Sequence, residues 1–371
     1  MAVDPSLQRI ARLTPLGAIL ALIDARVAAV QPSKCPPASA RGQTLAEDVV
    51  VAQLPPTPIA LRDGFAVEAG AIADAGPYSP VPLASKPPRV DAGDELPGGA
   101  DAVAPLEAIN ERGDHAVAVA PIAPGEGVLP AGGDAVSERP LRRAGERLRA
   151  IDVAVVAAAG VAEVTIRAPR ISIVRGGSTT SPVIEAARGI LSWAAADCGG
   201  AAFGKAMILQ ASLDYEQPDA VIVVGGTGSG RRDTSVQTLA KHGRVEAHGI
   251  AVSPGETAAF GFVGSRPYLL VPGRLDAALA IWLLIGRHLV ARLAGGSVVD
   301  VPIVLPLKRK VTSTIGLTEL VPVSCITGLA EPLASGYLSL QALAGSDGWI
   351  VVPADSEGFA AGTPVAVRPW P

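Results

Sequence analysis

The chain reads as a multidomain α/β protein, with a central doubly wound α/β domain flanked by β-rich segments. Three observations predict this. From Ile171 onward, β-branched runs alternate with stretches of helical apolar spacing, the pattern of a mostly parallel sheet covered by helices. Before Pro169 and after Val298, short apolar runs such as "HAVAVAPIAP" and "GWIVVPA" are broken by Pro and Gly, which suits strands better than helices. The length of 371 residues is enough for about two or three domains. The expected divisions are a β-rich domain over 46–138, the α/β domain over 169–297 and a second β-rich domain over 298–371. Residues 1–45 and 139–168 carry helices at the N-terminus and at Ala150 to Ala159, and are expected to pair as a separate, elongated module.

The composition sets the class. The chain is 49% hydrophobic and 18% charged, with 41 Gly and 33 Pro, so it is globular and rich in turns. A net charge of -4 argues against a general nucleic-acid binder, because such binding needs clustered positive charge. The short basic stretches "RPLRRAGERLR" and "LKRK" read as solvated faces. Cys35, Cys198 and Cys325 are far apart and form no CxxC pair, which fits a reduced, cytoplasmic setting and predicts neither a disulfide framework nor a zinc site. The four histidines, His115, His242, His248 and His288, show no metal-binding spacing. The N-terminal apolar stretch is interrupted by Asp24 and Arg26 and reads as an amphipathic helix, not a signal peptide. The run from Leu275 to Val290 is too short to span a bilayer, so a buried helix and no membrane association are expected.

Within the α/β domain, "ISIVRGG" predicts a strand from Ile171, followed by a helix from about Ser181 to Ala196 and a short strand near Ala206 to Ala211. Ala220 to Val224 is a buried strand, and Val236, Leu239 and Ala240 have helical spacing after Thr234. Further strands are expected in "RVEAHGIAVS" and "YLLVPG", the last leading into the long apolar helix. Ligands of such sheets sit at the carboxyl ends of the strands. Four loops occupy those places: "RGGST" (175–179), "GGTGSGRRD" (225–233), "VSPGE" (252–256) and "VPGRLD" (271–276).

The second loop is the most suggestive. A glycine-rich turn between strand and helix exposes backbone N–H groups at a positive helix end, which suits a phosphate. Gly225 to Gly230 has the spacing of a Walker loop, but Arg231 and Arg232 stand where Lys and then Ser or Thr are needed. It also lacks the third glycine of the dinucleotide pattern. A tight turn without ligand remains the alternative.

Several motifs then line up in one order. "LPPTPIALRDGFAV" (54–67), "AGDELPGGADAVAPLE" (92–107), "LPAGGD" (129–134), the glycine loop, "SPGE", "VPGRL" and the tail "ASGYLSLQALAGSDGWIVVPADSEGFAAGTPVAV" together resemble the molybdopterin molybdenumtransferase family, the MoeA and gephyrin E-domain proteins. The resemblance covers most of the chain. It implies a MoaB/MogA-like central domain, a C-terminal β-barrel and a homodimer, with the 1–45 and 139–168 module serving dimerisation. It also implies insertion of molybdate into adenylylated molybdopterin, with Mg²⁺-dependent release of AMP, at a site between the α/β domain of one subunit and the β-rich domain of its neighbour. A molybdopterin adenylyltransferase or a recipient molybdoenzyme would be partners. An alternative is a non-catalytic carrier of molybdopterin or the finished cofactor, and a scaffold role is weaker still.

The resemblance nominates Asp63, Asp134 and Asp233 as catalytic and metal-binding carboxylates. Mg²⁺ takes oxygen ligands, and cleavage of a phosphoanhydride needs a cation to offset developing charge. Each aspartate also has a plain reading: Asp63 and Asp134 as turn formers beside glycines, Asp233 as a helix cap. Asp94 and Asp101 read as turn residues. Cofactor-binding positions are Arg175, Ser178 and Thr179; Gly225, Gly226, Thr227, Gly228, Ser229, Gly230 and Arg231; Pro254 and Gly255; and Pro272, Gly273 and Arg274. The departures from the family are informative. Gly177 and Ser178 replace acids, Ser253 and Glu256 replace two lysines, and Arg274 and Leu275 replace Asn and Pro. Arginine suits oxyanions through bidentate contact. Arg175, Arg231 and Arg274 are therefore expected to carry anion-binding charge moved from the lysines, or else the pocket has lost turnover.

Overall fold

The computed structural model describes residues 8–113, 115–177, 180–203, 208–214 and 218–371. Contacts divide the chain into two units, one comprising the stretch up to Glu47, Ala144–Val153 and Glu163–Pro371, the other Asp48–Arg143 with Ala154–Ala162.

The first unit holds the six-stranded α/β sheet. In chain order its strands are β1 (Arg170–Arg175), β2 (Ala201–Phe203), β3 (Ala220–Val224), β4 (Arg244–His248), β5 (Ala259–Val263) and β6 (Arg266–Val271). They lie side by side as β2-β1-β3-β6-β5-β4. The first four are parallel, and β6-β5-β4 is an antiparallel meander. The central strands are buried on both faces. Ile173, Ile222 and Leu269 pack on one side with Trp282 and with Ile19 and Ile23 of the N-terminal helix α1 (Leu16–Arg26). Val174, Val221, Tyr268 and Leu270 pack on the other with Leu209 and Leu239. Each large apolar side chain so enclosed contributes about 1.5–3 kcal/mol, which is why these strands read as continuous apolar runs.

The helix expected from Ser181 is present as Pro182–Asp197, following the chain's second helix, Ala150–Ala158. The Ser181 side chain accepts a hydrogen bond from Ile184 N, and Pro182 occupies the first turn, so the start is set by its cap. Of the short strand expected near Ala206 to Ala211, the described residues show one parallel bridge, from Ile208 to Arg175 at the end of β1. Gly199, at φ +84°, and Gly200 turn the chain straight into β2, and Leu209–Asp214 is helical. Leu209 is buried as one apolar side chain of a helix face, which a short apolar run alone cannot distinguish from a strand. Residues 206 and 207 lie outside the described part. "RVEAHGIAVS" is likewise two strands in two sheets. The chain breaks at Gly249, φ +95°, and Val252–Ser253 pairs with Thr318–Glu319 of the C-terminal sheet.

The long apolar stretch is a buried helix in three pieces, Leu275–Ile281, a π turn at Trp282–Gly286, and Arg287–Leu293. A Cβ on Gly286 would lie 2.4 Å from the Trp282 ring, so glycine is what lets the indole lie along the helix there. Among the described residues no helix is long and apolar enough to cross a membrane. The N-terminal segment is fastened to this domain by a Thr14 bridge to Ile250, by His288 Nε2 at 2.7 Å from Asp24, and by Arg292 Nε donating to the Val27 carbonyl at 2.9 Å.

The C-terminal strands run Val252–Ser253, Thr318–Ile326, Gly348–Val352, Pro364–Pro369 and Ile303–Pro306, with Leu329–Pro332 folded as a hairpin on Thr318–Ile326. One residue past Pro306, Leu307 makes a parallel bridge to Ala330. In place of a closed barrel, the described residues show a sheet whose last strand also touches the Leu329–Pro332 hairpin through this bridge, around a core of Leu307, Val321, Val323, Ile350 and Val365. The second unit is built of short antiparallel strands: Gly64–Val67 between Arg89–Val90 and Ala102–Ala104, and His115–Ala118 between Val81–Pro82 and Ile109–Arg112. Gly64 is demanded by its neighbour, since a Cβ there would sit 2.2 Å from the Ala104 carbonyl oxygen.

Candidate strand-end site

The parallel strands β1, β3 and β6 end side by side, and their loops interlock. Gly176 N donates to the Val224 carbonyl at 2.9 Å, and Gly225 N donates to the Val271 carbonyl at 2.8 Å. A Cβ on Gly225 would lie 3.7 Å from the Gly273 Cα. Three of the four loops expected to carry ligand thus converge at the carboxyl edge, where the topology of a parallel sheet puts binding sites.

A serine ties them together. Ser235 begins helix α5 (Ser235–His242). The described helix Leu209–Asp214 is α4, Pro182–Asp197 is α3 and Ala150–Ala158 is α2. The Ser235 hydroxyl lies 2.7 Å from the Gly225 carbonyl and 3.1 Å from that of Gly176, and its own N–H donates to the Gly226 carbonyl at 3.0 Å. The side-chain amide of Gln8 donates to that same Gly226 carbonyl at 2.7 Å. Next along, the Thr227 carbonyl accepts from His248 Nε2 at 3.0 Å, which fixes the Nε2–H tautomer, because a carbonyl can only accept. The Thr227 hydroxyl meets that of Thr257 at 3.0 Å.

The loop tip closes on Asp233. Its Oδ2 accepts from Gly230 N at 3.0 Å, and Asp233 N donates back to the Gly230 carbonyl at 2.9 Å. Cβ atoms on Gly228 and Gly230 would lie 2.7 and 2.9 Å from Oδ2, so both glycines make room for the carboxylate. Asp233 therefore folds the loop instead of capping the helix, whose N-cap is Thr234.

The arginines differ from one another. Arg231 is exposed and carries no ion pair among the described residues. Arg175 is largely buried, its Nε 3.8 Å from Glu185 Oε1. Arg274 forks onto Asp276, with Nε donating to Oδ1 at 3.1 Å and an Nη to Oδ2, and its guanidinium lies 4.7 Å from the Tyr337 ring centroid. Hydrogen bonding to Asp276 raises the Arg274 pKa still further. Asp276 is only 3% exposed and also accepts from Ala277 N and from Leu338 N of the C-terminal region. In the "SPGE" loop Pro254 and Gly255 are buried, and the Glu256 carboxylate accepts from Gly255 N at 3.0 Å. Pro272 is buried beside Gly273. Ser178 and Thr179 lie outside the described residues.

Asp63 and Asp134 belong to the second unit and are exposed. Asp63 Oδ1 accepts from Ala92 N at 2.8 Å, bringing "LRDG" onto the "AGDELPGG" stretch, while the Asp134 carboxylate makes no hydrogen bond to a described residue. Asp94 and Asp101 hold backbone as expected, accepting from Asp91 N and Ala69 N. No cluster of three or more metal-type side chains exists among the described residues. The cysteine thiols are all pushed up, chiefly by burial, and so are poor nucleophiles at neutral pH.

Sequence reading did not single out Ser235, Gln8, His248, Asp276 or Tyr337. Ser235 and Asp276 were within reach as polar residues just after a glycine turn and just inside a helix. Gln8 and Tyr337 carry no local signal, because they meet the site only through tertiary packing.

Three family models match consecutive stretches: the MoeA N-terminal region (domains I and II) at 6–160, a probable molybdopterin binding domain at 200–292, and the MoeA C-terminal region (domain IV) at 304–370. The chain is 30% identical to a molybdopterin biosynthesis protein of Methanocaldococcus jannaschii over 150 residues, 40% of this chain and 36% of that protein. It is 26% identical to molybdopterin molybdenumtransferase 2 of Mycobacterium tuberculosis over 294 residues, covering 68% and 72% of the two chains. Its fold is that of the MoeA protein of Pyrococcus horikoshii, with a TM-score of 0.75 at 23% identity over 97% of this chain and 100% of that one. A molybdenum cofactor biosynthesis protein of Pyrococcus furiosus matches with a TM-score of 0.63 at 19% identity, again over 97% and 100%. With all three regions present in order and the fold matched along its length, the chain belongs to the MoeA family.

Proposed function

We propose that the protein acts in molybdenum cofactor biosynthesis as a molybdopterin molybdenumtransferase, taking adenylylated molybdopterin and molybdate and releasing AMP. The observation that carries this reading is the convergence of Gly176, Gly225–Gly226 and Gly273 at the carboxyl ends of three parallel strands, in a chain of this family. The carbonyls of Gly225 and Gly226 are engaged by Ser235 and Gln8, so the N–H groups of Gly226 and Thr227, in the same two peptides, face the other way, as donors to a phosphate need to. Arg231 beside them adds exposed positive charge.

Mg²⁺ would offset charge on the phosphoanhydride oxygens. Its fit here is to single carboxylates, not to a preformed cage: Asp233 and Asp63 each give one oxygen to backbone, and Asp134 is exposed. That matches the usual Mg²⁺ shell of one or two carboxylates with phosphate oxygens and water.

A second reading, a carrier of molybdopterin or finished cofactor, is favoured by the charge balance of two loops. The Arg274 charge is already answered by Asp276, and Glu256 adds a carboxylate where a phosphate site would want a cation. The test is to incubate the protein with adenylylated molybdopterin, Mg²⁺ and molybdate and follow AMP release in wild type and Asp63→Ala. Release in wild type that falls in the variant supports the transferase. Tight pterin binding with no AMP above background overturns it and leaves the carrier.

A further inference from the structure

The Gly226 carbonyl takes one of its two hydrogen bonds from a residue 218 positions earlier, the side-chain amide of Gln8. Gln8 is 5% exposed, and its Oε1 is buried with no partner among the described residues. Buried amides are normally satisfied at both ends, so a half-used one calls for a role. Gly225 and Gly226 sit at φ +91° and +75°, where a glycine backbone can reorient its peptide planes at little cost, so their direction has to be set by partners.

Gly226–Thr227 is a trans peptide, since the cis bonds are at Pro55 and Pro254. In a trans peptide the carbonyl and the following N–H point in opposite directions. Holding the Gly226 oxygen against Gln8 and Ser235 therefore turns the Thr227 N–H to the other side of the loop. Gln8 acts from a fixed base: Thr14 N donates to the Gly249 carbonyl at 2.9 Å and Ala251 N to the Thr14 carbonyl at 2.8 Å. His248, next to that bridge, holds the Thr227 carbonyl, so both peptides flanking Thr227 are gripped from one place.

We propose that Gln8 is a positioning residue whose amide sets the Gly226–Thr227 peptide so that the Thr227 N–H is presented to the phosphate of a nucleotide or pterin ligand. The ligand part rests on the reading of the glycine loop as a phosphate cradle given above. Donation from Gln8 distinguishes an amide from a carboxylate: Gln8→Glu sets an oxygen against the carbonyl, while Gln8→Ala merely leaves it with one donor.

The experiment measures two things in the full-length protein, wild type, Gln8→Ala and Gln8→Glu: affinities for AMP and adenosine by calorimetry, and the ¹H–¹⁵N amide shift of Thr227 without ligand. The expected result is a shifted Thr227 amide in both variants and AMP binding weaker by about tenfold, more in Gln8→Glu, with adenosine binding unchanged. A purely structural role would lower the melting midpoint and leave the AMP-to-adenosine ratio as it was, which overturns the proposal. An unchanged Thr227 shift in Gln8→Ala overturns it whatever the ligand does. Wild type that binds AMP no better than adenosine instead sinks the cradle reading, and the Thr227 shift still decides whether Gln8 sets the peptide.

Discussion

The Ser235 hydroxyl lies within hydrogen-bonding distance of two carbonyls from different strand ends, Gly225 at 2.7 Å and Gly176 at 3.1 Å. With one proton it can serve only one at a time, and the shorter contact marks Gly225 as the principal acceptor. Ser235→Ala removes the donor from a fully buried position. The expected cost is about 1–3 kcal/mol, read as a lower denaturation midpoint, because the carbonyls are left without it away from water. A loss below a few tenths of a kcal/mol would show that the two loops hold each other without this side chain.

Neighbouring glycines in the same loop should behave in opposite ways. A Cβ on Gly176 would lie 2.0 Å from the Gly225 carbonyl oxygen and 2.1 Å from Ser235 Oγ, whereas one on Gly177 would meet nothing nearer than the Arg232 carbonyl oxygen at 4.0 Å. Gly176→Ala is expected to destabilise by about 3 kcal/mol through backbone displacement. Gly177→Ala should fold as wild type. Equal melting curves for the two variants would contradict this packing.

How much of this was legible in the sequence follows from where each signal lies. Strand β3 and the Gly225 loop were readable because a run of five buried apolar residues and a glycine cluster are local features. The start of α3 was readable because Ser181 and Pro182 carry its cap in the chain itself. Strand β2 went unread because the turn at Gly199 and Gly200 opens it directly, ahead of the apolar run in which Ile208 bridges Arg175. Arg274 was legible as a cation but not as half of a pair: Asp276, two residues on, becomes its partner only when helix α6 (Leu275–Ile281) buries the carboxylate.

That pair gives an asymmetric prediction. Asp276 is buried and accepts from Arg274, Ala277 N and Leu338 N, while the Arg274 side chain is 55% exposed. Asp276→Ala should therefore cost more than Arg274→Ala, about 2–4 kcal/mol against about 1, since one removes the acceptor for several buried donors and the other a half-solvated cation. If chemical denaturation ranks the two the other way, Asp276 is not the hub of this contact.

Cys198 supplies a pH test. Burial pushes its thiol above the ordinary value, against the pull of Arg287 and Arg147. Below about pH 8.5 the thiol is protonated folded and unfolded, so it adds no slope. As pH rises past that value the unfolded chain ionises first, and stability falls until the folded value is passed. Denaturation midpoints between pH 7 and 10 should drop more steeply in wild type than in Cys198→Ala. Parallel curves would mean that the thiol does not govern this range.

The contact between Gln8 and Gly226 has a consequence for biosynthesis on the ribosome. Gln8 is translated well before its acceptor, which follows 218 residues later. The segment that carries Gln8 must therefore wait while those residues are made, with its docking partner absent, and the loop can mature only once the central sheet has emerged. An excised fragment of residues 169–297 would carry every glycine of the loop and still lack one of the two donors that orient it.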